Sequence, residues 1–219
     1  MSPRRRARHH QRTVSAAGTA EELEMVDLEP VTRRVSDMVV AVRDDQLGAP
    51  TPCTESSLAA LLDHLDGLSQ GFTMAAQKTR RDGDQAPRAD ASHLGTDWRT
   101  RIPERLATLA AAWREPDAWT GMTKAGGQDL PGELAGVIAL DEVIVHGWDI
   151  AVASGQTFDC PPELVEAAHG FVAATVTRSP NGTPGMFGPP VAVAGDAPLL
   201  DRLIGLTGRD PGWRAPQRA

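Results

Sequence analysis

The chain has 219 residues, of which 41% are hydrophobic and 23% charged, with a formal net charge of -7. That length suits one large domain, or one domain with a small addition, and the composition is that of a folded chain rather than a disordered one. The acidic balance repels phosphate backbones, so no nucleic-acid partner is expected.

The longest apolar run, Leu134 to Ala153, is broken by Asp141, Glu142, His146 and Asp149, so no membrane span is expected either. Cys53 and Cys160 form neither a disulfide framework nor a zinc-finger spacing, which fits a reducing cytoplasm.

The first 24 residues carry Arg4, Arg5, Arg6, Arg8 and Arg12 beside His9 and His10. They lack the apolar core of a secretory signal and read as a disordered basic tail. Organised sequence begins just after Met25, which reads as an alternative start.

Asp27 is placed to cap a first helix with Pro30 in its first turn, where the missing N–H costs little. Leu28, Val31, Val35, Met38 and Val42 give it one apolar face, and Gly48 and Pro50 are expected to stop it. A second helix follows Thr51-Pro52-Cys53, capped by Ser56 or Ser57, with Leu58, Leu61, Leu65, Leu68 and Phe72 as its buried stripe.

Residues 80–97 read as a polar loop. A third helix carries Ile102, Leu106, Leu109 and Trp113, with Pro103 near its start or kinking it, and ends at Pro116. Residues 119–132, rich in glycine, read as a second loop. Its Gly121 to Gly127 stretch is either a plain connection or a flap whose Lys124 attracts an anionic substrate.

A fourth helix is expected from about Glu133 to Ser154, ended by Gly155 and apolar nearly all round, as in the centre of a bundle. Four such helices predict a mainly all-α protein, a four-helix bundle over residues 25–156. Residues 157–219 read as a small α/β appendage. It would hold a helix at Pro162 to Val176, a short strand at Val191 to Ala194 and a last short helix at Pro198 to Leu206.

Glu142 and His146 lie four residues apart, so their side chains share one face of the fourth helix, one turn apart. A carboxylate set in Ala139 to Val145 is costly unless it is paired, protonated or metal-bound, and this helix offers no Lys or Arg to pair with it. A divalent ion satisfies it, and so does a partner from another helix.

His64 borders the buried stripe of the second helix and is a third candidate ligand, or else a hydrogen-bonded core histidine. Three protein ligands would leave an open coordination position, as in catalytic zinc sites. Asp149 can accept a hydrogen bond from a ligand ring nitrogen; otherwise it is a surface residue, and Trp148 beside it is a core residue or a support of the site. Cys53 is a fourth candidate ligand, though buried turn cysteines are commoner. Arg209 and Asp210 read as an ion-pair anchor for the C-terminal tail.

Leu61-Leu62-Asp63-His64-Leu65, after Thr51-Pro52-Cys53, resembles the second-helix signature of DinB-like bundles related to mycothiol-dependent maleylpyruvate isomerase. Asp141-Glu142-Val143-Ile144-Val145-His146-Gly147-Trp148-Asp149 resembles that group's second signature. Phe187-Gly188-Pro189-Pro190 and Gly208-Arg209-Asp210-Pro211 are similar to the tail of an actinobacterial branch.

The resemblance implies a divalent ion, usually zinc, held by His64, Glu142 and His146. It also implies mycothiol or another low-molecular-weight thiol as cosubstrate, a small electrophilic substrate and a homodimer. The expected activity is that of a zinc-dependent thiol S-transferase or isomerase. The competing expectation is a non-catalytic, metal-stabilised module that binds a protein partner. Ser56 stands where relatives often carry Trp, and the segment from Thr157 is smaller than the isomerase's C-terminal domain, so maleylpyruvate itself is not carried over.

Overall fold

The computed structural model describes residues 25–53, 56–79, 88–183 and 185–216, so the basic tail lies outside the described residues. Helix α1 (Glu29–Ala41) has Pro30 in its first turn, as expected, but its N-cap is Leu28 rather than Asp27, whose carboxylate accepts the Glu29 N–H at 3.0 Å just outside the helix. It stops short of Gly48. Val42 turns extended yet stays buried, and a 3-10 turn at Asp44–Gln46 follows. Gln46 fastens that turn by donating to the Ser154 carbonyl at 2.8 Å.

Helix α2 (Leu58–Ala76) is capped by Ser57, whose hydroxyl accepts the Ala60 N–H at 3.3 Å. Its expected stripe is buried. Helix α3 (Trp98–Trp113) contains Pro103, which removes one backbone donor without ending the helix. Pro116 opens the single turn α4 (Pro116–Trp119).

The stretch read as a glycine-rich loop holds a β-hairpin. Strands β1 (Met122–Ala125) and β2 (Gln128–Pro131) pair antiparallel in the register Thr123 to Leu130. Gly126 and Gly127 have φ of 57° and 81°, as a two-residue turn with two left-handed positions requires. The strands are too short and polar to announce themselves by alternation. The hairpin packs on α2, where Thr123 Oγ1 donates to the Ala75 carbonyl at 2.6 Å.

Helix α5 (Gly132–Ser154) is buried along most of its length and ends at Gly155, whose φ is 73°. It packs against α1 and α2, and both of those pack against α3, which closes the bundle. Gly147 permits the close approach of α1: a Cβ there would lie 2.6 Å from Val35 Cγ2.

Helices α6 (Pro162–Arg178) and α7 (Leu199–Leu206) pack on each other, and α6 packs on α5. Val191 to Ala194 is not a strand; it runs beside α7, with the Val191 N–H donating to the Gly205 carbonyl at 2.9 Å. No sheet edge lies there for it to join among the described residues, whose only sheet is the hairpin. The chain is mainly helical, as its periodicity predicts. Leu164, Val172, Phe187 and Leu203 lie in the same hydrophobic core as the bundle helices.

Candidate metal centre

Helices α2 and α5 bring His64, Glu142 and His146 together. Each offers one ligand atom, and these atoms all lie within 4.8 Å of one another. The i, i+4 spacing on α5 puts His146 Nε2 3.1 Å from Glu142 Oε2. The His64 ring meets His146 edge-on, with centroids 5.0 Å apart and planes at 87°.

A four-coordinate zinc ion, with bonds of about 2.0–2.2 Å, needs ligand atoms about 3.3–3.5 Å apart. Two imidazoles and one carboxylate within 4.8 Å of one another therefore suit it in chemistry and in spacing.

Behind His146 stands a second carboxylate. Asp149 Oδ2 lies 3.1 Å from His146 Nδ1, one turn further along α5. Asp149 is 0% exposed, so its charge needs compensation from within the fold. Arg209 supplies it: Nε donates to Oδ1 at 2.9 Å and to Oδ2 at 3.1 Å, while Nη2 donates to Oδ2 at 2.9 Å.

Arg209 was legible as an ion-pair anchor but not as part of this site. Asp210, its chain neighbour, instead accepts the Gly212 N–H at 2.8 Å. The available signal was Asp149 itself, a carboxylate on an apolar helix that requires a cation.

Two glycine-bearing tail segments place Arg209. Gly208 has φ of 85°, and a Cβ on it would sit 2.9 Å from the Gly188 backbone. The Phe187–Pro190 and Gly208–Pro211 stretches thus meet backbone to backbone.

Burial opposes charge throughout the site, and neighbours overrule it. Burial disfavours the His146 imidazolium, yet hydrogen bonds and charge from Asp149 and Glu142 carry its pKa up to about 9. Burial would raise the Glu142 carboxyl, but His146 and then His64 hold it below its usual value. Burial would likewise raise Asp149, and Arg209 chiefly holds it low. Asp141 goes the other way: burial, then the Glu142 charge, pushes its carboxyl well above the usual range, and its Oδ1 has no hydrogen-bond partner among the described residues.

Trp148 is buried beside Val145 and Ile204, on the side of α5 that faces α7. Cys53 falls outside the group of ligand atoms, and its half-buried thiol lies near Arg209. The hairpin that carries Lys124 touches α2 at Ala75, eleven residues beyond His64, or about 16 Å along the helix axis. It therefore does not cover this site.

The family described as the mycothiol maleylpyruvate isomerase N-terminal domain matches residues 28–151. The chain belongs to this family. The matched region contains His64, Glu142, His146 and Asp149, whereas Arg209 lies beyond it.

Two uncharacterized proteins of Mycobacterium tuberculosis, Rv0738 of strain H37Rv and MT0763 of strain CDC 1551, are each 25% identical over 172 residues. Those alignments cover 78% of this chain and 90% of the relatives. The crystal structure of the mycothiol-dependent maleylpyruvate isomerase shares the fold, with a TM-score of 0.52 at 21% identity. That match covers 68% of this chain and 66% of the solved one, so the chain spans slightly less than two thirds of that enzyme. A histidine-to-alanine mutant of the enzyme matches with a TM-score of 0.50 at 22% identity.

Proposed function

We propose that the protein is a divalent-metal-dependent enzyme that joins a low-molecular-weight thiol of the mycothiol type to a small electrophile, as a thiol S-transferase or isomerase. One observation carries this reading: His64, Glu142 and His146 bring two nitrogens and one oxygen within 4.8 Å of one another. The family membership supports it, since the solved structure of the same fold is named for its dependence on mycothiol.

A bound divalent ion supplies positive charge that favours a thiolate over a thiol, and the thiolate is the nucleophile. The chain's own residues do the rest. With an ion bound, His64 and His146 would each offer a ring nitrogen lone pair, and Glu142 would add one negative charge. Asp149, 3.1 Å from His146 Nδ1, would accept a hydrogen bond from Nδ1–H in that state and so leave the Nε2 lone pair on the ligand side. Three protein donors would leave one position of a four-coordinate ion open to an outside ligand. Among the described residues no helix is long and apolar enough to cross a membrane, and a small diffusible substrate is the partner the site suits.

The test is elemental analysis joined to a thiol-consumption assay with a panel of electrophiles. The expected result is about one zinc per chain, lost in His64→Ala and Glu142→Ala, with thiol consumption lost alongside. A parent protein that takes up no divalent metal even from added zinc would overturn the reading. Metal without turnover on any electrophile would point to the non-catalytic module instead.

A further inference from the structure

The C-terminal segment reaches the ligand group through one side chain. Arg209 is 10% exposed and directs Nε and Nη2 onto both oxygens of Asp149. We propose that Arg209 is a positioning residue for the metal centre, which by clamping Asp149 fixes the His146 ring with Nδ1 on a carboxylate and Nε2 facing Glu142 and His64. This rests on reading those three residues as metal ligands.

The geometry allows little else to do the job. Asp149 Oδ2 accepts from Arg209 Nη2 at 2.9 Å and Nε at 3.1 Å, and lies 3.1 Å from His146 Nδ1. The two arginine donors hold the carboxylate in one plane and keep it charged, and a charged, fixed acceptor selects the His146 tautomer whose proton is on Nδ1. Without the fork, a carboxylate that is 0% exposed either takes up a proton or turns to find another donor. Either change frees the ring that it holds.

Lysine does not reproduce this, since a point charge cannot bridge both oxygens in plane. Arg209 is itself placed from behind: Nη1 donates to the Thr207 carbonyl at 3.4 Å, and Gly208 stacks on the Gly188 backbone. Docking of the tail and metal affinity are therefore linked, and the link is reciprocal.

The experiment uses the full-length chain. Zinc affinity is measured by competition with a chromophoric chelator, and the visible spectrum is recorded after loading with cobalt(II), for the parent, Arg209→Gln, Arg209→Lys, Asp149→Asn and the Arg209→Gln/Asp149→Asn pair. Arg209→Gln and Asp149→Asn are each expected to bind zinc about 10- to 100-fold more weakly. The pair should bind no more weakly than the weaker single variant, because the two residues act in series.

Arg209→Lys keeps the charge that neutralises Asp149, so it guards against loss of folding. It is expected to bind zinc better than Arg209→Gln and less well than the parent, with an altered cobalt spectrum. A merely structural role would lower the melting temperature while leaving zinc affinity and spectrum unchanged in Arg209→Lys, and that result overturns the proposal. A parent that binds no metal fails earlier and differently, since it removes the ligand reading itself.

Discussion

Between Asp141 and Asp149 helix α5 buries Asp141, His146 and Asp149 and half-buries Glu142, and each is settled by its own neighbours. Glu142 and Asp149 stay charged because His146 and Arg209 face them. His146 stands between two carboxylates and holds a proton up to about pH 9 when no metal competes for it. Its ordinary value is 6.5, so the folded protein binds this proton more tightly than the unfolded chain does. The resulting stabilisation is complete below pH 6.5, is lost as the pH rises through 9, and is gone above that.

Urea denaturation of chelator-treated protein should therefore show stability falling by about 2–3 kcal/mol between those limits. Apparent metal affinity should rise over the same window, because each ion bound must displace the His146 proton.

Asp141 reverses the sign. Burial, with the Glu142 charge, pushes its carboxyl well above the ordinary value of 3.8, and a carboxyl so raised costs stability as the pH rises above that value. Asp141→Asn removes that cost and should raise stability by about 1–3 kcal/mol at pH 7, with the gain vanishing near pH 4. A gain that persists at pH 4 would mean that it does not come from the carboxyl's raised pKa, since the group is then protonated in the unfolded chain as well.

The ligand residues themselves were legible, since Glu142 and His146 share a helical face whatever the tertiary fold, and His64 borders its helix's apolar stripe. Arg209 was not legible as their support. Sixty residues separate it from Asp149, and only packing of the tail brings the two together.

At the scale of elements, legibility followed the strength of the pattern. Helices α2 and α5 are rich in apolar residues; α2 begins at Ser57 and α5 ends at Gly155, and both boundaries could be read from capping chemistry. The hairpin could not. Thr123 is the one fully buried residue in its two strands, so no alternation betrays them. Helix α1 ends early because Val42 reaches the core from an extended backbone, which periodicity cannot distinguish from one more helical turn.

Helix α5 shows how a local preference is overruled. Alanine is a better helix former than glycine by about 1 kcal/mol, so Gly147→Ala ought to stabilise an isolated helix. In the fold its Cβ would meet Val35 Cγ2 at 2.6 Å and Phe158 Cε2 at 2.9 Å. Pushing α1 and the Phe158 ring away from a packed core costs about 1–3 kcal/mol, so the packing loss is expected to win. Thermal denaturation of Gly147→Ala should give a lower midpoint than the parent, while Gly170→Ala, which has open space around its Cβ, should not.

For the whole molecule, the question is whether the bundle stands without residues 157–219. The sequence suggests a separable appendage, because Gly155 ends the fourth helix and Pro161 and Pro162 follow. The packing argues for dependence. Removal of that segment strips Leu164, Val165, Ala168, Val172, Phe187 and Leu203 from the core. It uncovers Val145 and Trp148, which pack with Ile204, and leaves Asp149 buried without Arg209.

Breaking a buried ion pair by removing one partner costs about 3–5 kcal/mol, against a total stability of about 5–15 kcal/mol for a domain. The lost apolar contacts add to that. A chain ending at Gln156 is therefore expected to unfold without a cooperative transition in urea, followed by tryptophan fluorescence, whereas the full chain unfolds in one step. If the shortened chain instead unfolds cooperatively, Asp149→Asn within it should raise its stability, because the carboxylate would then be a buried charge with no arginine beside it.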